Sequence, residues 1–122
     1  MFIEDIDHVQ IAAPKGCEDT ARKFFGELLG MPEIEKPEAL RARGGCWFQA
    51  GTRQLHIGVE DDFRPAAKAH PAFTVHDVDA LFARLDDAGV RCKWDDAIGE
   101  VRRFFASDPW GNRIEFTSRC KT

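Results

Sequence analysis

The chain has 122 residues, 43% of them hydrophobic and 31% charged, which suits one compact domain and excludes an enzyme built from separate cofactor and substrate domains. Its net charge is −4 and its arginines are scattered, so a nucleic-acid partner has no electrostatic support. No apolar run approaches the ~20 residues of a membrane helix. The N-terminal MFIEDIDH carries acids where a secretory leader is basic and then apolar, so a soluble cytoplasmic protein with no membrane partner is expected.

Taken in chain order, Asp7-His8-Val9-Gln10-Ile11 alternates polar and apolar residues and predicts a half-buried strand with His8 and Gln10 on its outer face. Residues 17 to 29, CEDTARKFFGELL, place Ala21, Phe24, Phe25 and Leu28 at helical spacing. Acids fill the first turn, and Gly30 with Pro32 ends this amphipathic helix. Gln54 to Val59 alternates again, with Gln54 and His56 opposite Leu55, Ile57 and Val59. The connector over 60–69 is short. Asp77 is a natural N-cap for a second helix over 77–88, whose stripe is Val78, Leu81, Phe82, Leu85 and Ala88, with Gly89 as its stop. His76, just ahead of it, is expected in a loop or a cap. Asp108-Pro109-Trp110-Gly111 fits a type I turn leading into the strand Arg113–Thr117, where Arg113, Glu115 and Thr117 share the face opposite Ile114 and Phe116.

The two halves read as copies, about 1–60 and about 69–119, within a single domain 1–122. Each has a strand, a helix and three further strands. His8 opens the first copy and His70 the second, while the last strands place His56 and Glu115 at matching positions. If the copies pair so that their sheets curve into one mixed-sheet cup with the helices outside, an α+β arrangement, these four groups meet on the concave side. Three imidazoles and a carboxylate suit a divalent first-row metal: zinc if four-coordinate, or nickel, cobalt, manganese or iron(II) with water in further positions. Cys17, Cys46, Cys92 and Cys120 form no CxxC pair and are expected to be reduced, packed thiols. Ten phenylalanines stand against no tyrosine, so phenolic acid chemistry is excluded.

The segments DHVQIAAP (7–14), ARKFFGELLGM (21–31), QLHIGV (54–59), HPAFTVHDVDALFARLDDAG (70–89) and SDPWGNRIEF (107–116) resemble the vicinal oxygen chelate superfamily, which includes glyoxalase I, fosfomycin-resistance thiol transferases, extradiol dioxygenases and bleomycin-binding proteins. The resemblance implies two βαβββ modules, a metal in the cup and a homodimer. His8, His70 and Glu115 fall on the superfamily's two-histidine, one-carboxylate triad. His56 falls on a fourth ligand position of glyoxalase I, where bacterial members commonly carry glutamate. Glyoxalase-type chemistry also assigns proton transfer to a carboxylate, and Glu115 is the one left for it. Phe105 stands where dioxygenases and fosfomycin transferases keep a tyrosine.

Around these positions, Arg103 shares strand parity with Phe105, and Gln10, Arg113 and Thr117 share the ligand face of their strands. Arg64 and Lys68 lie in the connector. One or two of the bases are expected to hold an anionic group of a small-molecule substrate, and Trp47, Phe48, Trp94 and Phe105 either to line an apolar pocket or to pack as plain core. Gln10, Trp47, Arg103, Phe105 and Arg113 are thus the substrate-binding candidates. The resulting expectation is a metal-dependent lyase or isomerase acting as Lewis acid on vicinal oxygens. The alternatives are a non-catalytic drug binder of the bleomycin-resistance type and a thiol transferase of the fosfomycin-resistance type.

Overall fold

The first alternating segment forms strand β1 (His8–Ala13) in the computed structural model, which describes residues 1–118 of the chain. Helix α1 (Glu18–Ala21) follows and runs on as a π-helical stretch, Arg22–Leu28. Then come β2 (Glu33–Ile34), a 3-10 helix (Glu38–Arg43), β3 (Cys46–Ala50) and β4 (Arg53–Val59). After the connector, β5 (Ala72–Thr74), α2 (Val78–Asp87), β6 (Cys92–Asp95), β7 (Arg103–Ser107) and β8 (Arg113–Thr117) repeat the order. The chain divides into two compact units, Met1–Arg64 and Pro65–Thr122. Each carries an open four-stranded mixed sheet, ordered β1-β4-β3-β2 in the first and β5-β8-β7-β6 in the second. This is the α+β fold of two βαβββ modules that the repeat predicts.

The repeat holds at residue level. Gln10 pairs with His56 across the parallel strands of the first sheet, as Ala72 pairs with Glu115 in the second. His8 and His70 each stand two residues ahead of those partners. His70 does not open a strand, however. It is followed by Pro71, which has no N–H for a ladder, so β5 begins at Ala72 while the Pro71 carbonyl still accepts from Glu115 N at 3.0 Å.

In the first unit the core is Phe24, Phe25, Phe48, Leu55 and Ile57, with Phe25 set against Phe48 at 5.9 Å. Two consecutive phenylalanines must both face this core. The wider π turn separates successive side chains by a smaller angle than an α turn, and Leu29 N donates to Phe24 O at 2.9 Å, five residues back. A regular helix over 17–29 is therefore corrected to a mixed one. In the second unit Phe82 of α2 stacks on Trp94 at 4.6 Å and meets Phe104 edge-on at 5.1 Å. Asp77 caps α2 as predicted, accepting from Ala80 N at 3.0 Å, and His76 is left exposed in the loop.

One open question about faces is decided and one expectation changes. Phe48 is fully buried and Trp94 packs between Phe82 and Arg102, so both belong to the core side and not to a ligand pocket. The central strands β4 and β8 are also buried on both faces. His56 and Glu115 are 4% and 8% exposed, nearly as hidden as Leu55 and Ile114 beside them. The type I turn is present, with Gly111 N donating to Asp108 O at 3.1 Å. Buried Asp108 accepts from Trp110 N and Asn112 N and clamps Asn112, whose Oδ1 takes the Ala66 N–H. Burial raises the Asp108 carboxyl above its ordinary range, against those hydrogen bonds.

Cys17, Cys46 and Cys92 carry free thiols, while Cys120 lies outside the described residues. Burial pushes Cys17 up to about 11 and Cys46 up to about 12. Among the described residues, no helix is long and apolar enough to cross a membrane.

Candidate functional site

Each unit brings one predicted pair together. In the first, Trp47 on β3 and Gln10 on β1 are the register partners of His56 on β4. Three rings then stack in a row. Trp47 and His56 lie 3.6 Å apart at 2°, and His56 and His8 lie 4.0 Å apart at 17°. His8 Nδ1–H donates to Asp7 Oδ2 at 2.9 Å. His56 Nε2–H donates to Gln54 Oε1 at 2.9 Å. Burial, with His8 second, lowers the His56 pKa and favours the neutral ring, the form that ligates metals. A ligand nitrogen aims its lone pair in the ring plane, so two parallel rings cannot share one ion until one of them turns. Gln10 is exposed, with its side chain over Gly58.

In the second unit, Ala72, Glu115 and Phe105 lie side by side on β5, β8 and β7. Glu115 Oε1 stands 3.0 Å from His70 Nε2, and Oε2 accepts from Arg103 Nη1 at 3.3 Å. Arg103 Nη2 reaches Asp95 Oδ1 at 3.3 Å, while its buried Nε has no hydrogen-bond partner among the described residues. Phe105 is the hub of the apolar contacts. His70 meets it edge-on at 5.3 Å, and the Arg113 guanidinium lies over its face at 3.9 Å. Arg64 and Lys68 are exposed, and the Lys68 backbone carbonyl accepts from the His70 ring.

The donor chemistry of the His70 and Glu115 pair fits a cation. His70 Nδ1 lies 2.9 Å from Lys68 O, a carbonyl that can only accept, so Nδ1 carries the proton. In a neutral ring Nε2 is then a lone pair, and it faces a carboxylate oxygen at 3.0 Å. Two lone pairs at that distance repel unless a second proton or a metal ion lies between them. A backbone carbonyl behind Nδ1 is also the usual way in which a metal-binding histidine is oriented. Within either unit, among the described residues, no third His, Cys, Asp or Glu joins these pairs as a metal cluster.

Sequence reasoning missed Asp7, Gln54 and Asp95. Asp95 left one signal: Lys93 and Asp95 alternate with Cys92 and Trp94, which places Asp95 beside Arg103 once β6 and β7 pair in register. An open cavity of about 530 Å³ in the first unit contains none of the predicted residues. In its wall Arg22 pairs with Glu33 at 2.9 Å and Glu18 accepts the Gly45 N–H at 2.6 Å.

The sequence matches the family model described as Glyoxalase/Bleomycin resistance protein/Dioxygenase superfamily over residues 5–116. A glyoxalase family protein from Bacillus anthracis is 53% identical, with 98% of each chain covered and a TM-score of 0.94. Lactoylglutathione lyase from Agrobacterium tumefaciens shares the fold at 16% identity and TM-score 0.75, covering 97% of this chain and 96% of that one. The fosfomycin resistance protein FosX from Listeria monocytogenes does so at 20% identity and TM-score 0.76, covering 97% and 95%. Among curated proteins none matches the chain.

Proposed function

Because the chain belongs to the glyoxalase, bleomycin resistance and dioxygenase superfamily, we propose that it is a divalent-metal lyase or isomerase acting on a small substrate with two adjacent oxygens. The ligand candidates are His8, His70 and Glu115, with His56 as a fourth once its ring turns off Trp47. The observation that carries this reading is the opposed pair His70 Nε2 and Glu115 Oε1, poised for a cation. A bound zinc, nickel, cobalt, manganese or iron(II) ion would supply Lewis acidity toward the substrate oxygens. Glu115 is also the carboxylate available to carry a proton between adjacent carbons.

Arg113 is the better substrate cation of the two arginines on this face. It lies over the Phe105 ring at 3.9 Å and forms no ion pair among the described residues, whereas Arg103 is held by two carboxylates. A guanidinium held on an aromatic face keeps its donors in one plane, suited to a carboxylate. Phe105, Trp47 and Gln10 would contact the rest of the substrate. The free thiols Cys17, Cys46 and Cys92 suit a reducing, cytoplasmic setting, and a homodimer is the assembly expected of the family.

Elemental analysis of protein purified without a nickel column tests the reading. The expected result is one divalent metal per chain, lost in His70→Ala. No stoichiometric metal, with ligand binding unchanged in His70→Ala, would instead support a non-catalytic binder. The stacking of His56 with Trp47 and His8 favours that second reading, since parallel rings do not aim their nitrogens at one ion. Thiol transfer to an epoxide is the third reading, and unchanged thiol levels with fosfomycin across a metal series would remove it.

A further inference from the structure

We propose that Arg103, braced by Asp95, is a positioning residue that fixes the carboxylate of Glu115 so that a single oxygen is presented for ligation. The inference rests on the metal reading above. It goes beyond that reading by removing Arg103 from the substrate and giving Asp95 a role.

The geometry is a ladder across three strands of one sheet. Asp95 on β6 and Arg103 on β7 are direct register partners, and Phe105, two residues further on, is the partner of Glu115 on β8. Arg103 therefore reaches Glu115 diagonally, past Phe105. Its Nη1 donates to Oε2 of Glu115 and its Nη2 is ion-paired with Oδ1 of Asp95, both at 3.3 Å. The side chains of Glu115, Arg103 and Asp95 are only 11%, 17% and 31% exposed, so water competes little for these contacts. Asp95 is itself fixed, because its Oδ1 accepts the Ala97 N–H at 2.9 Å.

A carboxylate can ligate through one oxygen or both, and it can swing between the two modes. With Oε2 tied to Arg103, only Oε1 is left on the side of His70. A guanidinium that touched Glu115 alone could follow it in such a swing. Asp95 pulls on the opposite nitrogen and prevents this. A lysine keeps the charge but cannot span both carboxylates, so Arg103→Lys should fall short of the native arrangement.

The test measures Co2+ affinity of the metal-free protein by the visible bands of the bound ion. Arg103→Ala should weaken Co2+ binding by about 10- to 100-fold, the usual loss when the partner of a metal ligand is removed. Arg103→Lys should show a smaller loss with altered bands, and Asp95→Asn a loss in the same direction. Wild-type affinity and spectrum in Arg103→Ala would overturn the proposal. If Arg103→Ala does not fold, wild-type values in Arg103→Lys would do so. His70→Ala is the control for the metal reading itself. Should the wild type bind no Co2+, or His70→Ala bind it unchanged, that reading fails and the positioning role is decided without metal. The ring signals of His70 in nitrogen-15 spectra should shift and broaden in Arg103→Ala as Glu115 loosens, and unchanged signals would overturn the proposal.

Discussion

Glu18 shows how one side chain can hold a loop to a helix. Its Oε2 accepts the Gly45 N–H at 2.6 Å, joining the first turn of α1 to the residue before β3. Gly45 has φ +82°, and a Cβ there would lie inside the contact distance of Ile57 O, so the loop passes too close to β4 for any other residue. The Gly45 N–H holds the Glu18 carboxyl below its ordinary value of 4.5. A carboxyl lowered by folding contributes stability that is complete above its unfolded value and is lost as pH falls through the folded one. Glu18→Gln should therefore be less stable than wild type at pH 7, with the difference shrinking by pH 3. Urea unfolding at the two pH values measures this. A difference that stays constant with pH would show that the contact does not depend on the charge.

At the scale of elements, α2 was legible because every determinant is local: an N-cap at Asp77, an apolar stripe, and a glycine past the end. Asp77→Ala should cost about 1 kcal/mol, read by thermal or urea unfolding, since it removes the acceptor for Ala80 N. A variant as stable as wild type would mean that water replaces the cap at no cost. The first helix was only half legible. Its position followed from spacing, but its π winding follows from the need to bury Phe24 and Phe25 together against Phe48, a demand made by the sheet. The same division runs through the site. Strand parity put His56 and Glu115 on one face of their strands and the repeat matched them. Their burial depends on what other strands bring, such as Trp47 over His56 and Arg103 beside Glu115. Asp95 escaped because its role arises only from the β6–β7 register.

For the whole molecule, the proposed metal binding would be linked to folding as one equilibrium. The chain carries a net charge of −4, so a divalent cation at the His70 and Glu115 pair would offset part of its self-repulsion. Any ion that binds the native chain in preference to the unfolded one adds RT ln(1 + [L]/Kd), about 2.7 kcal/mol at one hundred times Kd. For a chain of this length that stabilisation raises the unfolding midpoint by about 10 °C. Calorimetry with Co2+ should show this shift in the wild type, no shift in His70→Ala, and reversal by a chelator. Stoichiometric Co2+ binding without any rise in midpoint would mean that the unfolded chain holds the ion equally well. The folded pairs His8 with His56 and His70 with Glu115 would then have no special claim on it, and the metal-centre reading would fail with them.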